Sequence, residues 1–592
     1  MNTKSTWVWL LVAALLFASI YVLDRFMRPP AAVAQNILLG LQPSAVTSLQ
    51  VIPAGALEVR ALRTNNAWLL AKPVAYPAQP VAIEALLAAL QKLAAATRIS
   101  AGELREHPKA SADYGFDSPQ TTLVVEAGDQ RWQLLVGNRT APGDQVFLRV
   151  VGVDGTFVAD ADWLKFLPRT ASDWRSTALV AVAGAECDAI VLTNGVKVIE
   201  LRREATNHLW RMIHPLQARA DSERITEALQ QLQAAQVSQF VTDDAADLTA
   251  FGLQPADLDV WLNRGTNCLS GLQVGKSATN DVVQVYAKRE GWSAVFTTAK
   301  ESLSPWRGGV NEFRDPHLLE LNGPVAEIAV RGPHDFTLQL GTNGWQVVGE
   351  KFPADADSVQ ELIKLLAGLR VTEFVKDVVT APDLAAYGLA APQIQISLRS
   401  VAGDSNAVIA QLAFAAQTNG IFAHRADEDF IYSIAPEDFS RLPGDAWEFR
   451  DRRIWNFSET NVAQITLRQG GKIRVLVRNG VNKWSLAAGS QGIINPPALE
   501  ETTHRLGGLT ALGWVERNVT NLEKCGLSPD KLEITVELKN GEKFSTAFGT
   551  ELASAHTALA AVTLDGERWA YVFPPVLYQF VLSYLTIPAN VP

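Results

Sequence analysis

The chain has 592 residues, too many for one hydrophobic core, so several domains of roughly 100 to 200 residues each are expected. Hydrophobic residues at 48% and charged residues at 19% exclude long disordered tracts, so most of the chain packs. With 52 basic against 62 acidic residues the formal net charge is −10, which argues against a broad phosphate-binding surface and against nucleic acid as a partner.

At the N-terminus, Trp7 to Leu23 runs for 17 residues without a charge, preceded by Lys4 and followed by Asp24, Arg25 and Arg28. That length just spans a bilayer core. Trp7, Trp9 and Tyr21 lie near its ends, where amphipathic rings favour the headgroup level. The pattern predicts a signal anchor in the lipid bilayer, with 1–28 as cytoplasmic tail and transmembrane helix and 29–44 as linker. A cleaved signal peptide is the competing reading, because Ala32-Val33-Ala34 resembles the small-residue site that signal peptidase accepts. Both readings export the remainder. The anchor reading places a single-pass protein in the inner (cytoplasmic) membrane with its bulk periplasmic or extracytoplasmic.

Beyond the anchor, three features recur in one order at nearly one spacing. An apolar stretch opens each copy: Val46 to Val51, Cys187 to Leu192, Val325 to Val330 and Val462 to Leu467, with steps of 141, 138 and 137 residues. A tryptophan follows at Trp68, Trp210, Trp345 and Trp484, with steps of 142, 135 and 139. A turn motif comes third: Tyr114-Gly-Phe116 before Pro119, Phe251-Gly-Leu253 before Pro255, Tyr387-Gly-Leu389 before Pro392, and Cys525-Gly-Leu527 before Pro529. Four diverged copies are implied, at 45–180, 187–320, 325–457 and 462–588. The period is too long for a solenoid repeat and long enough for each copy to bury its own core.

Within a copy, the opening strand and the tryptophan strand lead to a proline-marked loop and then to helical spacing of apolar residues. The buried stripe is Leu86, Leu90 and Leu93 in the first copy, Ile225, Leu229 and Leu232 in the second, and Leu362, Leu366 and Leu369 in the third. In the third copy Asp357 is placed to cap the helix, with Gln360 in capping-box position. After the glycine turn the pattern changes to period two: Ile534, Val536 and Leu538 alternate with Glu533, Thr535 and Glu537. Asn540-Gly541, Asp565-Gly566 and Asp154-Gly155 are hairpin signals. The fold class expected is α+β: a transmembrane helix, then four tandem units, each a mainly antiparallel sheet with one principal packed helix.

Each of the first three copies ends on an aromatic–arginine pair, Trp174-Arg175, Phe313-Arg314 and Phe449-Arg450, eleven or twelve residues before the next copy opens. The fourth has Tyr578-Gln579-Phe580 instead. Because the pair is missing only where no copy follows, it is assigned to the junction between neighbours, the arginine bonding the next copy's backbone or carboxylates.

No local signature supplies catalytic geometry: the chain lacks GxSxG, HExxH, GxxxxGK[ST] and a strand-borne GxGxxG. The histidines His107, His208, His214, His317, His334, His424, His504 and His556 are scattered over all copies, and the six-residue spacing of His208 and His214 fits a helical metal pair poorly. Asp243-Asp244 reads as a solvated loop, and Cys187, Cys268 and Cys525 as buried single thiols without disulfide spacing. No catalytic, cofactor-binding or metal residue is assigned and no cofactor is expected. The recurring positions are apolar, Gly, Pro, Trp or junction Arg, which are folding positions.

The short anchor with repeated tryptophan, aromatic-Gly-Leu and aromatic-Arg-Asp elements resembles the bacterial domain-of-unknown-function family numbered 4340, over residues 45 to 588. The resemblance implies an envelope protein whose gene neighbours those of a gliding-type ABC transport system, hence a non-enzymatic extracytoplasmic scaffold or accessory component with envelope or ABC transporter proteins as partners. Repetition and anchoring point the same way, with the copies expected to form an extended arm. Two alternatives stand beside it. One is a glycan-, lipid- or peptide-binding module, favoured if exposed tryptophans line a groove between copies. The other is a hydrolase of envelope polymers, which requires converging carboxylates or histidines in one cleft.

Overall fold

A computed structural model describes Trp9, 12–19, Tyr21 and residues 36–586 apart from 183–185, 280, 322, 403–404, 521–525 and 527–530. Trp9, 12–19 and Tyr21 are helical with exposed side chains. The rest of the Trp7 to Leu23 run and Ala32-Val33-Ala34 lie outside the described residues, as do Cys525, Leu527 and Pro529 of the fourth turn motif. Among the described residues no helix is long and apolar enough to cross a membrane.

The chain is α+β, built on four antiparallel sheets of eight or nine strands, one for each copy. It divides into two compact units, Met1–Arg314 and Asp315–Pro592, with two sheets in each. In the first copy the strands are β1 (Ser48–Pro53), β2 (Val59–Thr64), β3 (Ala67–Lys72), β4 (Tyr76–Pro77), β5 (Thr97–Ile99), β6 (Thr121–Ala127), β7 (Gln130–Arg139), β8 (Gln145–Val150) and β9 (Thr156–Asp160). Their order across the sheet is β4-β3-β2-β1-β6-β7-β8-β9-β5. The helix Pro80–Gln91 follows β4 at one edge and hands the chain to β5 at the other. The second sheet repeats this order, and the third and fourth repeat it without the two-residue β4.

Two strands in every copy, and the short edge strand β4 or its counterpart Ala218–Arg219 in the first two, go beyond the sequence expectation. β2 stands between the opening strand and the tryptophan strand, and β5 pairs with β9 directly after the helix. β5 has three residues, none of them buried, so it carries no period-two signal, and only its edge position makes it a strand. Its counterpart Val237–Thr242 has one buried residue and two register shifts against Val295–Ala299.

The predicted stripe residues are buried, although Leu93 and Leu369 stand just past the C-termini of their helices, Pro80–Gln91 and Ala356–Gly368. Leu86 and Leu90 are fully buried with Ile83 and Leu87, on a sheet face formed by Leu49, Val51, Leu134, Val136 and Leu148. In the second copy Ile225, Leu229 and Leu232 are buried, and in the third Leu362, Leu366 and Leu369. The cap of the third helix differs from expectation. Asp355, not Asp357, stands at the N-cap, where its Oδ1 accepts from the Ser358 backbone N–H at 2.8 Å, and Asp357 lies in the first turn. Both aspartates precede the apolar stripe, and Asp355 prevails because Phe449 of the copy's own end bonds its backbone N–H at 2.7 Å.

The anchor tryptophans are buried: Trp68 and Trp210 are 2% exposed, Trp345 and Trp484 6%. In the first and fourth copies the indole ties the sheet to the helix. Trp68 Nε1–H donates to Glu84 Oε1 at 2.9 Å and Trp484 Nε1–H to Glu500 Oε2 at 2.9 Å. Each of these glutamates also pairs with an arginine of the second strand, Arg63 and Arg478.

The turn glycines share one conformation: Gly115, Gly252, Gly388 and Gly526 have φ of +79°, +67°, +74° and +63°, a region that L side chains avoid. At Gly115 a Cβ would also stand 2.8 Å from the Asn138 backbone nitrogen. The turn therefore docks closely on β7: Asn138 N–H donates to Tyr114 O at 2.8 Å, and the Asn138 side-chain amide donates to Asp113 O at 3.1 Å. The period-two strand is borne out, with Ile534, Val536 and Leu538 buried. Asp565 and Gly566 both have positive φ between paired strands, as a tight hairpin requires.

Candidate functional site

The features that recur with chemistry attached are the ends of the copies. The segment after the aromatic–arginine pair of the first copy, and that of the third, is held on both sides by backbone bonds. Gln79 N–H donates to Trp174 O at 2.7 Å and Ser176 N–H to Pro77 O at 2.9 Å within the first copy, while Val237 N–H of the second donates to Thr177 O at 2.7 Å. In the second unit Asp355 N–H donates to Phe449 O and Asp451 N–H to Pro353 O. Ala511 N–H of the fourth copy donates to Arg452 O at 2.7 Å. At the end of the second copy Asp221 N–H donates to Phe313 O at 2.9 Å, Ala220 bridges Arg314, and Arg314 is 2% exposed.

Side chains complete these joints. Arg175 is 3% exposed, and its Nη2 pairs with Asp243 Oδ1 of the second copy at 2.6 Å. Its guanidinium carbon lies 4.7 Å from the Phe240 ring centroid and 5.9 Å from that of Tyr76. Tyr76, fully buried, meets Phe240 edge-on at 5.4 Å and Trp292 at 5.6 Å. Burial pushes the Tyr76 hydroxyl pKa up.

The junction of the third and fourth copies repeats the plan. Arg450 Nη2 pairs with Asp565 Oδ2 at 2.8 Å, and its guanidinium carbon faces Trp569 at 4.5 Å, Phe352 at 5.0 Å and Trp514 at 5.6 Å. Trp514 Nε1–H donates to Arg450 O at 2.9 Å. Arg517 of the fourth copy bridges Glu350 of the third at 2.7 Å and its own Glu567 at 2.8 Å, and it holds the Glu567 carboxyl below its ordinary pKa. Desolvated guanidinium–ring contacts and ion pairs with geometry of this kind hold one copy against the next.

The expectation for the junction arginines is met at Arg175 and Arg450, which both take a carboxylate of the next copy. Asp243 is accordingly a junction residue. The sequence reading missed Tyr76 and Phe352, although Tyr76-Pro77 and Phe352-Pro353 stand two periods apart, and it missed the receiving aromatics Phe240 and Trp514. In the fourth copy Gly492 stands three residues before the helix cap, the place of Tyr76 and Phe352. There Tyr578 is buried and its hydroxyl donates to Glu551 Oε1 at 3.1 Å.

The remaining candidates disperse. His208 and His214 are exposed on the second copy. His317 meets Asp315 at 3.0 Å, His424 Nδ1 lies 2.9 Å from Phe430 O, and His504 meets Glu459 at 3.1 Å. His107, His334 and His556 stand apart from these, His334 lying 3.9 Å from Asp445. Among the described residues no three His, Cys, Asp or Glu side chains are grouped as metal ligands. Cys187 is buried with its thiol donating to Ala189 O, but Cys268 is exposed, because it sits beside the turn that opens Asn267–Ala278.

Two grooves recur. One of about 540 Å³ is lined by Glu501, His504, Arg505, Thr510, Val576 and Leu577 in the fourth copy, and one of about 450 Å³ by Glu361, Lys364, Leu365, Asp438 and Arg441 in the third. They occupy the same helix positions, yet His504 and Arg505 stand where the other has Lys364 and Leu365, so no polar constellation repeats. Among the described residues only Trp9 is an exposed tryptophan, so none lines either groove.

No curated protein matches the chain. Among solved structures, a DNA polymerase sliding clamp from Pseudomonas aeruginosa aligns at 10% identity, covering 69% of this chain and 94% of that one, with a TM-score of 0.13. The DNA polymerase III subunit beta from the same organism aligns at 8% identity, covering 90% and 93%, with a TM-score of 0.11. Scores this low carry no argument. The sequence model of a family described as Domain of unknown function (DUF4340) matches three times, at residues 68–208, 210–350 and 345–530. The matches open at Trp68, Trp210 and Trp345, three of the four recurring buried tryptophans. With most of its length matched in three successive segments, the chain belongs to the DUF4340 family.

Proposed function

We propose that the protein is a non-enzymatic scaffold or accessory component anchored in the inner membrane by Trp7 to Leu23, with its repeats extracytoplasmic, and that it serves a gliding-type ABC transport system. The observation that carries this reading is the use made of the recurring positions. Trp68 and Trp484 hold helix to sheet, the glycines shape the turns, and the arginines Arg175 and Arg450 join one copy to the next. A chain that repeats its joints and not its reactive groups is suited to presenting surface at fixed spacing.

Crosslinking of the full-length protein in native membranes, followed by affinity capture and mass spectrometry, tests the proposal against a version starting near residue 35. Anchor-dependent enrichment of ABC transporter subunits is the expected result. Recovery of envelope glycan or lipid on both versions, with no protein partner, overturns it in favour of a ligand-binding module.

A further inference from the structure

The two junctions differ in charge balance. At the junction of the third and fourth copies, Arg450 and Arg517 face three carboxylates, those of Glu350, Asp565 and Glu567. At the junction of the first and second, Arg175 and Arg289 have among the described residues a single paired carboxylate, Asp243, which pairs with Arg175. Arg289 is 4% exposed and takes no ion pair among the described residues. Its Nη2 reaches Ser176 O at 3.2 Å and Ser176 Oγ at 3.5 Å.

A buried guanidinium without a counter-ion is strongly unfavourable, and buried donors without acceptors add to the cost. Both conditions meet here. Arg289 Nε and Nη1, Arg175 Nε and the Tyr76 hydroxyl are all buried without a hydrogen-bond partner. They belong to one cluster, because the Arg289 guanidinium carbon lies 5.1 Å from the Tyr76 ring centroid and that of Arg175 lies 5.9 Å from the same ring. Two cations on one ring repel each other across a low-dielectric space, which an anion between them would relieve.

We propose that the junction of the first and second copies is an anion-binding site, with Arg289, Arg175 and Tyr76 as donors and a halide-sized inorganic anion as ligand. Its size follows from burial, since neither arginine is more than 4% exposed and Tyr76 is fully enclosed. The anion supplies the charge that Glu350 and Glu567 supply at the other junction. The first joint therefore tightens with the anion content of its surroundings, and the second does not.

The test uses the full chain, exchanged into gluconate at constant ionic strength and titrated with bromide. Hydrogen exchange of Val237–Thr242 reports the first joint, and Gly513–Arg517 serves as internal control. Saturable protection of the first strand alone is expected, with an anomalous bromide signal beside Arg289 in crystals. Tyr76→Phe keeps the ring and should weaken the apparent affinity about tenfold, as expected for one lost hydrogen bond to a charged group. Arg289→Met should abolish the dependence. Equal protection in gluconate and bromide, or a bromide response unchanged in Tyr76→Phe, overturns the proposal and leaves water as the occupant.

Discussion

Replacing Arg450 by methionine isolates what a junction arginine contributes. Methionine retains apolar bulk against Phe352, Trp514 and Trp569 but removes the charge. Guanidinium–ring contact at 4.5 to 5.6 Å in a desolvated setting is worth about 2 kcal/mol. The Asp565 pair adds at most about 1 kcal/mol, because that carboxylate is 52% exposed and regains water when the arginine is lost. Arg450→Met should therefore weaken the joint by about 3 kcal/mol, and Asp565→Asn by about 1 kcal/mol or less. A chain of several domains does not unfold in two states, so local hydrogen exchange of Gly513–Arg517 is the suitable assay. The strand Val237–Thr242 in the other unit is the control. Loss of protection below about 0.5 kcal/mol in Gly513–Arg517, or an equal loss in Val237–Thr242, would refute the assignment of Arg450 to a joint.

Other consequences are equally direct. Gly115→Ala should cost the first copy more than about 2 kcal/mol in local hydrogen exchange of Gln130–Arg139, from the left-handed backbone and the close approach to Asn138. Gly128→Ala, at a turn of similar φ with open space around it, should cost only about 1 kcal/mol. Glu500→Ala strands Arg478, whose side chain is 4% exposed, and should cost about 3 kcal/mol. Arg478 also holds the Glu500 carboxyl below its ordinary 4.5. The stability it confers is complete above that value and disappears as pH falls through the lower folded one, so Glu500→Gln should flatten the acid limb of a stability profile. Burial, with Glu551 beside it, pushes the Tyr578 phenol up to about 12. Its contribution is present below pH 10 and lost as pH rises toward 12, so near-ultraviolet titration should show it protonated after ordinary tyrosines have ionised.

Residue pattern alone determined much of this protein. Four copies, their period, the helix stripes such as Leu86 and Leu90, the alternation from Glu533 to Leu538 and the hairpin at Asp565-Gly566 all follow from local spacing, because side chains that share a face must recur at the period of their element. Tertiary structure decided what local spacing does not encode. β5 is a strand only because β9 lies open beside it. Asp355 caps its helix because Phe449, ninety-four residues later, takes its backbone N–H. The joints depend on Tyr76 meeting Phe240 and Arg289, contacts made by folded surfaces from different copies. Charge balance at such a joint is set by which carboxylates those surfaces bring within reach. The sequence shows that Arg175 and Arg450 are equivalent, and only the packed junctions show that one is surrounded by a surplus of positive charge.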